Sequence, residues 1–280
     1  MSIAQQQIVA PVPTLRVRFF AHPIVRIVTG TACTMVSIFA PMAIIDSLLP
    51  KPLRVGWPLL LAAVLGMLGY RWFTQRVEKR TATELALARA PREIGTGLAL
   101  GATLGLAVAG VLAAVGAFTV TGSDGWGFML KSLPEQIMVA CFEELVFRAV
   151  LFRIVEQRWG SRNALIVSFV MFALAHLPNE HVSALAILIT GVAGVTLSAC
   201  YMLTRRLWLS IGMHFGWNYL YDGVFAVPVS GHPARGWLLV NMQGPDWLTG
   251  GSYGVEASLV TLLVWGAAAV WLLRRAYKQA

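Results

Sequence analysis

VSALAILITGVAGVTLSACYMLT, residues 182–204, carries no charged side chain from Val182 to Thr204. An α-helix rises about 1.5 Å per residue, so roughly 20 apolar residues cross the hydrocarbon of a bilayer. Working outward, residues 207–221 and 258–273 on the C-terminal side are uncharged too, as are 27–45, 55–70 and 94–123 on the N-terminal side. Two further stretches complete the series. Residues 133–155 are apolar apart from Glu135, Glu143, Glu144, Arg148 and Arg153, and residues 164–177 are apolar as far as His176. The expected fold is therefore all-α, a polytopic membrane helical bundle of about eight transmembrane helices.

The composition agrees with that reading. Of 280 residues 57% are hydrophobic and 12% charged, with a mean hydropathy of +0.68, against about 25% charged in soluble domains. A net charge of +9 raises the question of nucleic acid, but the basic residues punctuate apolar runs instead of sharing one solvated face, so no nucleic-acid partner is expected. They cluster at alternate connections: Arg16, Arg18 and Arg26; the segment 71–93; Arg153, Arg158 and Arg162; Arg205 and Arg206; Arg274, Arg275 and Lys278. The positive-inside bias then puts both termini in the cytoplasm of a multi-pass protein of a bacterial inner (plasma) membrane, with Lys51 and Arg54 against the pattern. Cys33, Cys141 and Cys200 lie inside apolar segments without a CxxC partner and read as small buried hydrophobes. Residues 1–22 read as a polar N-terminal arm before an uncleaved first span, and 23–280 as a single transmembrane domain. The basic segment 71–93 is expected to be helical at the inner surface. Gly97, Gly101 and Gly105, at four-residue spacing, mark a helix face that a neighbouring backbone can approach.

Carboxylates inside an apolar helix cost roughly 2.5–3.5 kcal/mol each at its centre, so they call for an explanation. In Cys141-Phe142-Glu143-Glu144-Leu145-Val146-Phe147-Arg148, the four-residue spacing lets Glu144 pair with Arg148, while Glu143 points about 100° away and is left free. In a soluble helix a buried salt-bridge cluster would be the ordinary reading. Within a membrane helix the extra carboxylate still lacks a partner. Phe172-Ala173-Leu174-Ala175-His176 closes the fifth apolar stretch, where a lone histidine is more often a cap than a ligand. His214-Phe215-Gly216-Trp217-Asn218 puts an imidazole and a carboxamide on one helix face. Together Glu143, His176, His214 and Asn218 supply a base, an orienting partner and two oxyanion donors, the groups that water-dependent peptide hydrolysis uses.

These motifs resemble those of the CPBP membrane proteases, the family of type II CAAX endoproteases, bacteriocin-processing and Abi proteins. EExxxR stands at Glu143, Glu144 and Arg148, FxxxH at Phe172 and His176, and HxxxN at His214 and Asn218. The resemblance runs over about 84–259, the motif core, and includes Trp247-Leu248-Thr249-Gly250-Gly251-Ser252-Tyr253-Gly254-Val255-Glu256 before the last span. It implies an intramembrane endopeptidase acting on a membrane-associated peptide or protein. Glu143, helped by His176, would deprotonate the attacking water, His214 and Asn218 would stabilise the oxyanion, and Glu144 and Arg148 would brace the site. No cofactor is then required. In the metal-dependent alternative, Glu143, His176 and His214 would hold zinc.

Rival signatures are weaker. Gly250-Gly251-Ser252-Tyr253-Gly254 matches the GxSxG of a serine nucleophile, but no strand precedes it. Tyr221-Asp222 lacks the second aspartate of an intramembrane aspartyl protease, and HExxH is absent. Two other classes remain open: a non-catalytic immunity or scaffold protein of the same fold, and a proton- or ion-coupled transporter, although no inverted repeat is apparent.

Overall fold

The computed structural model describes residue 19 and residues 21–279. Most of the arm expected over 1–22 lies outside the described residues. The chain forms α1 (Pro23–Leu48), α2 (Trp57–Arg76), α3 (Ala90–Ala114), β1 (Phe118–Ser123), α4 (Gly127–Glu144), α5 (Arg153–Ala175), α6 (Ala184–Thr204), α7 (Trp208–Tyr219), β2 (Leu238–Met242), the single turn α8 (Asp246–Thr249) and α9 (Leu259–Gln279). A π-helical stretch, Leu145–Phe152, joins α4 to α5, and a second, Leu220–Val224, extends α7.

Local chemistry sets these limits. Proline stands in the first turn of α1, α2 and α3, where its missing N–H leaves no helix hydrogen bond unmade. Ser183 caps α6 by accepting a hydrogen bond from the Ala186 N–H at 3.1 Å, and α6 stops where Arg205 turns left-handed at φ 55°. Gly160, at φ 82° and ψ 164°, breaks α5. That break separates the two apolar stretches expected at 133–155 and 164–177.

The molecule is a helical bundle with an apolar exterior. Helix α1 turns Val28, Val36 and Phe39 outward, and α9 turns out Leu263, Val270 and Trp271, surfaces suited to lipid. Among the described residues four helices, α1, α3, α6 and α9, are long and apolar enough to cross a membrane, fewer than the eight expected. The other expected stretches are helical but fall short of that measure. Helix α7 is only 12 residues long, α2 ends in Arg71 and Arg76, and α4 and α5 carry the charged residues of the motif region.

Two further expectations are corrected. Residues 94–123 are not one span: α3 ends at Ala114, Gly116 takes φ 75°, and β1 follows, pairing antiparallel with β2 around a bulge between Val120 and Gly122. The segment 71–93 is not one surface helix. Beyond Arg76 only the turn Thr83–Leu85 is helical before α3 begins, and ion pairs fold the segment inward. Glu78 pairs with Arg26, with Arg80 at 2.7 Å and with Arg153 at 2.8 Å, while Glu84 pairs with Arg80 at 3.0 Å.

The glycine face of α3 has the role its spacing suggested. A Cβ on Gly97 or Gly101 would run into the Leu209 or Met213 carbonyl of α7, and one on Gly212 or Gly216 of α7 would run into the Ile94 or Leu98 carbonyl of α3. The two backbones therefore touch along a reciprocal glycine seam. His214 is two residues from both Gly212 and Gly216, about 200° around the helix, so docking α7 on α3 turns His214 and Asn218 to the opposite side.

Candidate active site

On that opposite side lies a cavity of about 510 Å³ bordered by Glu143, His176, His214 and Asn218. The structure thus brings the four candidate residues, from α4, the end of α5 and α7, to one space. Glu144 and Arg148 are not among the residues bordering it. Both side chains are fully buried, and Arg148 Nη1 donates to Glu144 Oε1 at 2.9 Å. Arg148 Nη2 donates to the Gly194 carbonyl at 3.1 Å, and the guanidinium sits 4.5 Å above the Phe172 ring. The same ring packs against His176 at 4.7 Å. Phe172 and Arg148 therefore tie the first two motifs together.

The π-helical stretch begins directly after Glu144, a distortion often found at functional sites. Adjacent in sequence, the two glutamates meet different surroundings. Glu144 Oε1 also lies 3.0 Å from His214 Nδ1, which fixes the imidazole from behind. His214 Nε2 is 3.9 Å from Glu143 Oε2, too long for a direct hydrogen bond. That Glu143 oxygen has no hydrogen-bond partner among the described residues. His176 directs Nδ1 to the Phe172 carbonyl of its own helix at 2.8 Å, which leaves Nε2 as its free nitrogen. Asn218 is buried, and its carboxamide makes no hydrogen bond to a described residue.

Other polar groups border the same cavity, and the motif reading assigned them no role. Glu256 accepts from Trp217 Nε1 at 2.8 Å and from the Ser230 hydroxyl at 2.7 Å, tying the segment before α9 to α7. Gln136 Nε2 donates to Asp222 Oδ2 at 2.9 Å. Asp222 stood in the Tyr221-Asp222 pair, and its position one turn beyond Asn218 was the signal available for it. Among the described residues no three His, Cys, Asp or Glu side chains are grouped to hold a metal ion, so the alternative set of Glu143, His176 and His214 is not assembled as a ligand shell.

A helical bundle with an apolar exterior and an interior cavity bearing carboxylate, imidazole and carboxamide groups is a membrane protein with a hydrolase-like polar site. Residues 125–220 match the family model described as Type II CAAX prenyl endopeptidase Rce1-like, and the match supports the CPBP/CAAX protease family. It contains all three motifs. Over that stretch the chain is similar to the CAAX-type endopeptidases. No curated protein and no solved structure matches the chain.

Proposed function

We propose that the protein hydrolyses a peptide bond of a membrane-associated peptide or protein by direct activation of water at Glu143. The observation that carries this reading is Glu143, which borders the cavity and whose buried, unpartnered Oε2 lies 3.9 Å from Nε2 of an imidazole that Glu144 holds at Nδ1. One water bonding to both Glu143 and His214 Nε2 would be aimed at a substrate carbonyl. Glu143 takes its proton as oxygen bonds to carbon. Asn218 Nδ2 donates to the resulting oxyanion, and the proton then passes to the leaving amine as the carbon–nitrogen bond breaks. The distances favour His214 over His176 as the partner of Glu143, an exchange of the roles the family resemblance suggested. His176, with Nε2 free, serves as the second imidazole on the cavity wall. No step is routed through a metal.

The single domain 23–280 would lie in a bacterial inner membrane with both termini cytoplasmic. The cavity would then open away from the basic face, because Ser230, His232 and Pro233 of the segment after α7 border it. The test is Glu143→Gln in the full-length protein, with proteome comparison against the wild type for an accumulated precursor. The expected variant is inserted and folded but inactive, since an amide cannot take a proton from water, and wild-type activity survives a strong chelator. A normally expressed Glu143→Gln protein that still cleaves overturns the mechanism. Activity lost to the chelator and restored only by a divalent ion returns Glu143, His176 and His214 to the role of metal ligands.

A further inference from the structure

The chain carries 22 Lys and Arg against 13 Asp and Glu, yet no Lys or Arg borders the cavity, whereas Glu135, Glu143, Asp222 and Glu256 all do. Two of those carboxylates have work inside the protein. Glu256 is held by Trp217 and Ser230, and Glu143 faces His214. The other two, Glu135 and Asp222, lie at the end of the cavity away from the Glu144–Arg148 pair, and Asp222 also accepts from Gln136. Beside them Gln136 is buried, at 8% exposure, with Nε2 committed to Asp222. Its Oε1 is buried with no hydrogen-bond partner among the described residues. Asp222 is itself 8% exposed. Glu135 is exposed at the mouth, on the same helix one residue earlier. This end therefore gathers acceptors: an orphaned amide oxygen, a buried carboxylate that accepts from Gln136 Nε2, and a carboxylate at the opening.

From this we propose that Glu135, Gln136 and Asp222 form a specificity subsite for a cationic group of the substrate, an ammonium or guanidinium. The proposal deepens the peptidase reading and rests on it for the substrate's position. Asp222 lies four residues beyond Asn218 and Glu135 eight before Glu143, about 6 and 12 Å along their helices, so an extended substrate at about 3.4 Å per residue places its cation two to four residues from the scissile bond. An ammonium there satisfies Gln136 Oε1 and brings a positive charge to two negative ones. An anion would meet two carboxylates. The cation can belong to a Lys or Arg side chain or to the substrate's amino terminus.

The experiment uses the full-length Glu143→Gln protein in detergent at about pH 8, so that binding is read without cleavage. The probes are acetylated, amidated apolar peptides carrying either lysine or norleucine at successive positions, with unacetylated counterparts to separate a side-chain cation from an amino-terminal one. Lysine or a free amino terminus at one position should bind on the order of tenfold tighter than its neutral counterpart. Glu135→Gln and Asp222→Asn, each added to Glu143→Gln, should bring that ratio toward one, and Glu135→Lys should reverse it. Because Glu135 is exposed, its variants keep the test alive if Asp222→Asn does not fold. An equal ratio in all variants, no preference at any position, or no binding of either peptide overturns the subsite. Residual cleavage by Glu143→Gln overturns the mechanism instead, and leaves the binding ratio to judge the subsite.

Discussion

Glu143 and Glu144 share a peptide bond and about 100° of helix separates them, which is enough to give one carboxylate to the cavity and the other to Arg148 and His214. The pairing of Glu144 with Arg148 followed from spacing, because four residues on a helix bring side chains together whatever surrounds them. The contact of Glu144 with His214 did not, since it joins residues 70 apart and depends on how α7 docks. Arg148 is expected to be a structural residue. With both side chains at 0% exposure, Arg148→Ala leaves the Glu144 carboxylate buried with only an imidazole beside it, a loss of about 3–5 kcal/mol for a broken buried pair. Arg148→Lys should rescue little, because an ammonium cannot reproduce the flat contact with Phe172 together with the bonds to Glu144 and Gly194. A thermal unfolding midpoint in detergent equal to that of the wild type would refute this assignment.

At the scale of elements, the sequence located helices better than it located what interrupts them. Hydropathy reads residues 94–123 as one run because Phe118, Val120 and the threonines are as uncharged in a strand as in a helix. Gly116 was the cue to the break, and the pairing of β1 with β2 depends on a partner more than a hundred residues away. The π-helical stretch has no counterpart in spacing. The glycine seam, by contrast, was legible on α3 and needed only its partner. Gly101→Leu should separate α3 from α7, destabilising the fold by about 1–3 kcal/mol or more and lowering activity, because the Met213 carbonyl leaves no room. Gly110 is the control: it lies on the same helix, exposed, with nothing within 4 Å of an added Cβ, so Gly110→Ala should stabilise by up to about 1 kcal/mol. Equal unfolding midpoints for the two variants would sink the seam.

The ion-pair knot beyond α2 gives a prediction in pH. Burial alone would raise the Glu78 carboxyl, but the charges of Arg153, Arg26 and Arg80 together outweigh it and hold Glu78 below the usual carboxylate range. A folded-state pKa below the unfolded one contributes stability that is present above the unfolded value, about 4.3 for glutamate, and is lost as pH falls through the folded value. The stability advantage of wild type over Glu78→Gln should therefore be constant near neutrality and shrink only in acid. Chemical unfolding of both proteins from about pH 7 to pH 3 measures it. An advantage that grows on acidification contradicts the ion-pair account.

Over the whole molecule, the ion-pair knot and the cavity mouth lie at opposite ends. The knot of Glu78, Arg80, Glu84 and Arg153, together with Arg205 and Arg206, marks one end of the bundle, and the β1–β2 pair and the segment after α7 mark the other. Lys and Arg resist translocation, so the proposed topology puts the first end in the cytoplasm and turns the mouth bordered by His232 outward. A reporter active only in the cytoplasm, fused after Ala280, should therefore be active, and one inserted after Pro233, beside the cavity mouth, should not. This arrangement also bears on the chemistry. A carboxylate deep in an apolar bundle remains a base only if water reaches it, and a cavity open to one aqueous side supplies that water without wetting the lipid-facing helices. A thiol-reactive polar reagent that does not cross the membrane should then label a cysteine placed at His232 in intact cells. Labelling that appears only after the membrane is opened, or an inactive reporter after Ala280, would invert the topology and move the substrate's side of approach to the cytoplasm.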